Sequence, residues 1–124
     1  MPIAWEIRKT PGGMPYSRSV AKGRITMEDV LQLKQVSSPG GALYGLSTVT
    51  VNEPDMSLEP DARRAFADML EQSPNTFLAL VVPSAPMRVM MTFVMRMSGK
   101  ADTTKLFGEE ASATKWIFEN VDKR

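Results

Sequence analysis

Apolar and polar positions alternate from the start of the chain. In IAWEIRK, Ile3, Trp5 and Ile7 fall on one side and Ala4, Glu6 and Arg8 on the other, the period-two pattern of a half-buried strand. TPGGMP supplies a turn through Pro11 and the Gly12–Gly13 pair, and YSRSVAKG a second, more polar strand expected near a sheet edge. A hairpin is the simplest joining of the two. The period then changes. Thr26 and Asp29 make a capping-box pattern ahead of MEDVLQLKQV, where Met27, Val30, Leu31 and Val36 predict a short helix with one apolar stripe. SSPGG ends that helix, and ALYGLSTVTV, β-branched toward its end, predicts the next strand.

NEPDMS reads as a loop. Ser57 is placed to cap LEPDARRAFADMLEQS, a helix with Pro60 in its first turn and Glu59 and Asp61 at the positive end of its dipole. Ala62, Ala65, Phe66, Met69 and Leu70 mark its buried face, and SPN stops it. TFLALVV runs apolar without alternation, as a strand covered on both faces does, and is expected at the centre of a parallel or mixed sheet. A helix follows over PMRVMMTFVMRM, residues 86–97, with Ser84 as its cap and Gly99 as its terminator. TTKLF is a final strand. GEEASATKWIFENV is a final helix, with Glu109 and Glu110 at its start, Lys123 and Arg124 beyond its end, and Ala113, Trp116, Ile117 and Val121 on its apolar face. The order β-β-α-β-α-β-α-β-α predicts an α/β sandwich: a mixed sheet of about five strands with about four helices and right-handed crossovers. At 124 residues the chain is the size of one domain, 1–124.

Composition changes the picture chiefly by what is missing. The chain has no cysteine and no histidine. Disulfides, thiolate metal sites and Ser-His or Cys-His hydrolytic machinery are therefore excluded, and the usual general base near neutral pH is absent. No catalytic residue, metal ligand set or cofactor motif is expected. Glu53, Asp55, Glu59 and Asp61 lack the spacing of an EF-hand loop, and the glycine pairs at 12–13 and 40–41 lack the context and lysine of a phosphate loop. The formal net charge is +1, with Arg63, Arg64, Arg88 and Arg96 not interleaved with aromatics, which argues against nucleic acid. No apolar run reaches the ~18 residues of a membrane span and no signal-type segment opens the chain, so a cytoplasmic location without integral membrane association is expected.

The 86–97 helix is the one feature that ordinary solubility does not explain. Arg88, Thr92 and Arg96 share a narrow stripe, while the apolar residues, five of them methionine, cover roughly 240° of the remainder at ~100° per residue. Packing on a sheet accounts for about half of that arc. The edge expected to stay open holds Met87, Met91 and Met95, with Arg88 and Arg96 beside it. A second copy of the chain, a foreign protein, or an apolar ligand or lipid surface are the candidate coverings, against simple burial by neighbouring elements.

Three stretches carry a family resemblance: the opening strand MPIAWEI, the strand–loop–helix FLALVVPSAPMRVMMTFVM, and KLFGEEASATKWI with its acidic turn and tryptophan-bearing helix. With the element order they resemble the STAS/SpoIIAA-like family, relatives of anti-sigma-factor antagonists and similar in fold to CRAL-TRIO lipid-transfer domains. The resemblance implies a non-catalytic regulatory or protein-interaction domain, and the open edge of the Met-rich helix makes self-association as a dimer through it the leading expectation. It leaves as alternative a small carrier or sensor of an apolar, lipid-like ligand held between that helix and the sheet. Antagonists of this kind carry a phosphorylatable serine at a helix start, in an Asp-Ser-x-Gly context. The matching region here is DMSLEP, so Ser57 is the candidate phosphorylation site or plain helix cap, without the glycine.

Overall fold

The structure, a computed structural model of the chain, describes residues 2–74 and 76–123. Arg124, expected beyond the last helix, lies outside the described residues, as do Met1 and Asn75. Strands β1 (Ile3–Lys9) and β2 (Pro15–Ala21) form the expected antiparallel hairpin, with Ile3 opposite Ala21 and Lys9 opposite Pro15. Gly13 turns it at φ 85°, a left-handed backbone that suits glycine. There follow β3 (Arg24–Ile25), α1 (Met27–Ser37), β4 (Thr48–Asn52), β5 (Ser57–Leu58), α2 (Pro60–Gln72), β6 (Leu78–Val81), α3 (Ala85–Ser98), β7 (Thr104–Phe107) and α4 (Glu110–Val121). The five-stranded mixed sheet has the order β1-β2-β4-β6-β7, parallel everywhere except β1–β2.

That order explains the layering. Each crossover, β2 to β4, β4 to β6 and β6 to β7, moves one strand further in the same direction. Crossovers of constant hand then put their helices on one face. Accordingly α1 packs on α2 and α2 on α3, and their core residues Val30, Phe66, Leu70, Met91 and Val94 share a cluster with Leu78 and Leu80. Helix α4 crosses to no further strand and covers the opposite face, where Ala113, Ile117 and Val121 meet Tyr16, Val49, Ala79 and Val81. Strand register keeps the two faces distinct: Ser19, Thr50 and Leu80 share the first face, Val49, Ala79 and Lys105 the second.

Local signals set three of the helix ends. Thr26 and Asp29 form the full capping box of α1, Ser84 Oγ accepts from the Met87 N–H at 3.3 Å, and Gly99 closes α3 at φ 70°.

Several expectations need correcting. Strand β2 is interior, and its polarity faces inward; the edge is β1, where Trp5 and Ile7 are 38% and 49% exposed instead of buried. Strand β6, by contrast, meets its expectation: it is buried along its length and lies inside the sheet between β4 and β7, parallel to both. Residues 42–45 are turns and 46–47 irregular, not strand: Tyr44 N–H donates to the Gly41 carbonyl and Leu46 N–H to that of Leu43, with Gly45 at φ 77°. Gly41 permits this fold-back, since a Cβ there would lie 2.2 Å from the Val36 carbonyl oxygen. On α1, Val30 and Leu33 face the core while Met27 and Leu31 are exposed.

Two polar contacts pin the α4 layer. Thr10 Oγ1 donates to Asp122 Oδ1 at 2.5 Å, holding the hairpin turn against the end of α4. At its start, Arg18 of β2 grips Glu110 through Nε and Nη2 at 2.7 and 2.9 Å. The hydrogen bond from Arg18 lowers the Glu110 pKa most, burial opposes it, and the charges of Arg18 and Arg8 add to the lowering. A depressed carboxylate pKa contributes stability that is present above the ordinary value near ~4.3 and lost as pH falls through the folded value. Because both side chains are partly exposed, Glu110→Gln should cost only about 0.5–1 kcal/mol at pH 7. In urea unfolding, that deficit should shrink toward zero below about pH 4.

Candidate functional site

Helix α3 buries Met87, Met91, Val94 and Ser98, a row at i, i+4, i+7 and i+11 aimed at the sheet and α2. Met87 and Met91, expected on an open edge, are 6% and 2% exposed, and Met95 is half-buried. The open apolar edge lies on the opposite flank, where Val89, Phe93 and Met97 are 72%, 62% and 39% exposed. Arg88 and Arg96 are exposed, as expected, with Thr92 between them, and they border Val89 and Phe93. The reason is rotational. A helix apolar around most of its circumference carries no unique buried face, and the contacts with α2 and β7 choose one.

Ser57 does not cap a helix. It is exposed in β5, paired in parallel with Arg24 of β3, and its N–H donates to the Gly23 carbonyl. Pro60 fixes the first residue of α2, which leaves Glu59 at the cap position without a side-chain cap bond.

A cavity of about 100 Å³ lies between the helix layer and the β2–β4 part of the sheet, open in part to the surface. Leu33 of α1 and Phe66, Met69 and Leu70 of α2 form its apolar roof, and Met91 is the residue that α3 contributes. Its floor is polar: Ser19 of β2, and Thr48, Thr50 and Asn52 of β4. Ser17 and Thr48 oppose each other in the register and share a hydrogen bond at 2.5 Å. Asn52 donates from Nδ2 to the Val81 carbonyl at 3.0 Å. No charged side chain among the described residues lines the cavity. The polar groups it presents are hydroxyls and an amide, set against apolar surface. The Arg18–Glu110 pair belongs to the other sheet face. This floor is not among the sites expected from the sequence, although its signal is there: hydroxyl and amide residues at alternate positions in SRS of β2 and TVTVN of β4.

No helix among the described residues is long and apolar enough to cross a membrane. Comparison with protein-family models finds no match, and comparison with curated proteins finds none either. Among solved structures, the chain is similar to an uncharacterized DUF3478-family protein with a SpoIIAA-like fold from Shewanella loihica PV-4. The two share 18% identity over 93% of each chain, with a TM-score of 0.65. The likeness is one of architecture, and it agrees with the helices, mixed sheet and strand order described above: the chain has a SpoIIAA-like fold.

Proposed function

We propose that the protein is a non-catalytic binding module that holds a small, largely apolar ligand between helices α1 and α2 and the sheet. The supporting observation is the cavity, about 100 Å³ with an apolar roof, in a fold whose opposite face is closely packed by α4. Protein interiors leave few voids larger than water, and a well-formed apolar pocket with convergent polar groups is the default binding site. The site sits one helix away from the position expected from the Met-rich segment. Thermal unfolding in the presence of benzene tests the reading. Binding to the folded state alone at about 100 times Kd should add about 2.7 kcal/mol of stability. An unchanged Tm at saturating benzene and at saturating cyclopentanol, with no small molecule retained in native mass spectrometry of the purified protein, rules it out.

The exposed flank of α3 favours a second reading, contact with another protein or with a second copy of the chain. Val89, Phe93 and Met97 form an apolar strip beside Arg88 and Arg96, and aromatic and arginine side chains are the residues that dominate such contacts. The Val89→Glu/Phe93→Glu double variant should leave stability within about 0.5 kcal/mol per site, since both side chains are solvent-facing. It should also convert any dimer seen by sedimentation at micromolar concentration into monomer. A wild-type monomer throughout that range excludes self-association through this face.

A further inference from the structure

Two rungs on the same face of the β2–β4 ladder, separated by the Arg18–Val49 rung of the other face, behave differently. On the first, Ser17 and Thr48 satisfy one another at 2.5 Å. On the second, Ser19 and Thr50 stand directly opposite in register, yet neither hydroxyl has a hydrogen-bond partner among the described residues. Ser19 is only 3% exposed. Every fully enclosed side-chain nitrogen or oxygen among the described residues has a partner, so the Ser19 hydroxyl opens onto the cavity that Ser19 and Thr50 both line. A hydroxyl that opens onto the cavity without a protein partner is a donor and acceptor free to meet whatever occupies the cavity. Facing these hydroxyls across the cavity are Leu33, Phe66 and Met69, with no charged side chain among the described lining residues.

We infer that the cavity selects a neutral amphiphile: an apolar body under α1 and α2, and one hydroxyl, carbonyl or amide group hydrogen-bonded to Ser19 and Thr50. The inference rests on the binding-module reading and adds the class of ligand. A carboxylate or phosphate would be desolvated with no counter-charge beside it, which burial strongly opposes. A pure hydrocarbon would fill the roof and leave both hydroxyls unpaired. The volume is somewhat below the roughly 150 Å³ of a cavity that holds benzene. It therefore suits a small ring or one end of a longer molecule.

Methionine reports on this directly. Met56, Met69 and Met91 line the cavity, whereas Met14, Met27 and Met97 are exposed elsewhere. The experiment titrates methyl-¹³C-methionine protein with cyclopentanol, its isostere methylcyclopentane, and cyclopentanecarboxylate, in wild type and in a Ser19→Ala/Thr50→Val variant. The expected result is that cyclopentanol shifts the Met69 and Met91 methyls and not those of Met14 or Met27. The double substitution should weaken cyclopentanol about tenfold and leave methylcyclopentane as tight or tighter. If the substitution changes both neutral molecules equally, or if the carboxylate binds most tightly, polar selection by the floor is overturned while the binding module stands. If no molecule moves the cavity methyls, the cavity holds water only and both readings fall. Should the double variant not fold, Thr50→Val alone carries the same comparison at about a threefold weakening, and its absence overturns the inference.

Discussion

Ile117→Ala should destabilise the protein by about 3 kcal/mol and lower Tm by about 10 °C. Ile117 is fully buried at the centre of the α4 face, among Tyr16, Val49, Ala79 and Val81. One helix covers that face, held at its ends by Arg18–Glu110 and Thr10–Asp122, so neighbouring side chains have little freedom to collapse into the space left behind. The loss is therefore the transfer of the deleted methylenes plus most of a residual cavity. Urea and thermal unfolding measure it. A loss under about 1 kcal/mol would mean that α4 carries little of the stability of this layer.

Phe66→Ala should cost a similar amount, about 3 kcal/mol, and with a different signature. Phe66 is 8% exposed and forms part of the cavity roof, so its removal enlarges an existing space instead of opening a new one. On the proposed binding role, larger neutral molecules, indole for example, should then bind the variant more tightly than the wild type. At about 100 times its Kd such a molecule should restore about 2.7 kcal/mol, most of the deficit. Thermal unfolding of wild type and variant with and without indole gives all four corners of the comparison. Equal rescue of Ile117→Ala would show that the effect does not depend on the cavity.

Much of the architecture is legible in the sequence because its signals are local. Thr26 with Asp29, Ser84, Pro60 and Gly99 act within a turn of where they stand, and the strands IAWEIRK and TTKLF declare themselves by composition and period. Alternating strands and helices predict the mixed α/β sheet and the SpoIIAA-like fold, but not the strand order β1-β2-β4-β6-β7, in which the polar β2 is interior. What is not legible depends on distant partners. Val89, Phe93, Met87 and Met91 are all apolar on one helix, and only α2 and the sheet decide which pair meets solvent. Ser19 and Thr50 alternate as residues of a solvent-facing strand would, because a period of two cannot tell water from a cavity. Ser57 has the chemistry of a cap, yet a two-residue pairing with Arg24–Ile25, too short to show any periodicity, claims its backbone.

The lone helix on the second face also bears on the order in which the chain is made. Strands β2, β4, β6 and β7 all precede α4, as do α1, α2 and α3, which cover the first face. During synthesis the first layer can assemble as its elements emerge, whereas Val49, Ala79 and Val81 have no cover until residues 110–121 follow. Bare apolar strands of this kind are where nascent chains aggregate. The interval between the emergence of β7 and that of α4 is therefore the period in which this protein most needs a chaperone, and stalling the ribosome within it should increase chaperone capture more than stalling after α4.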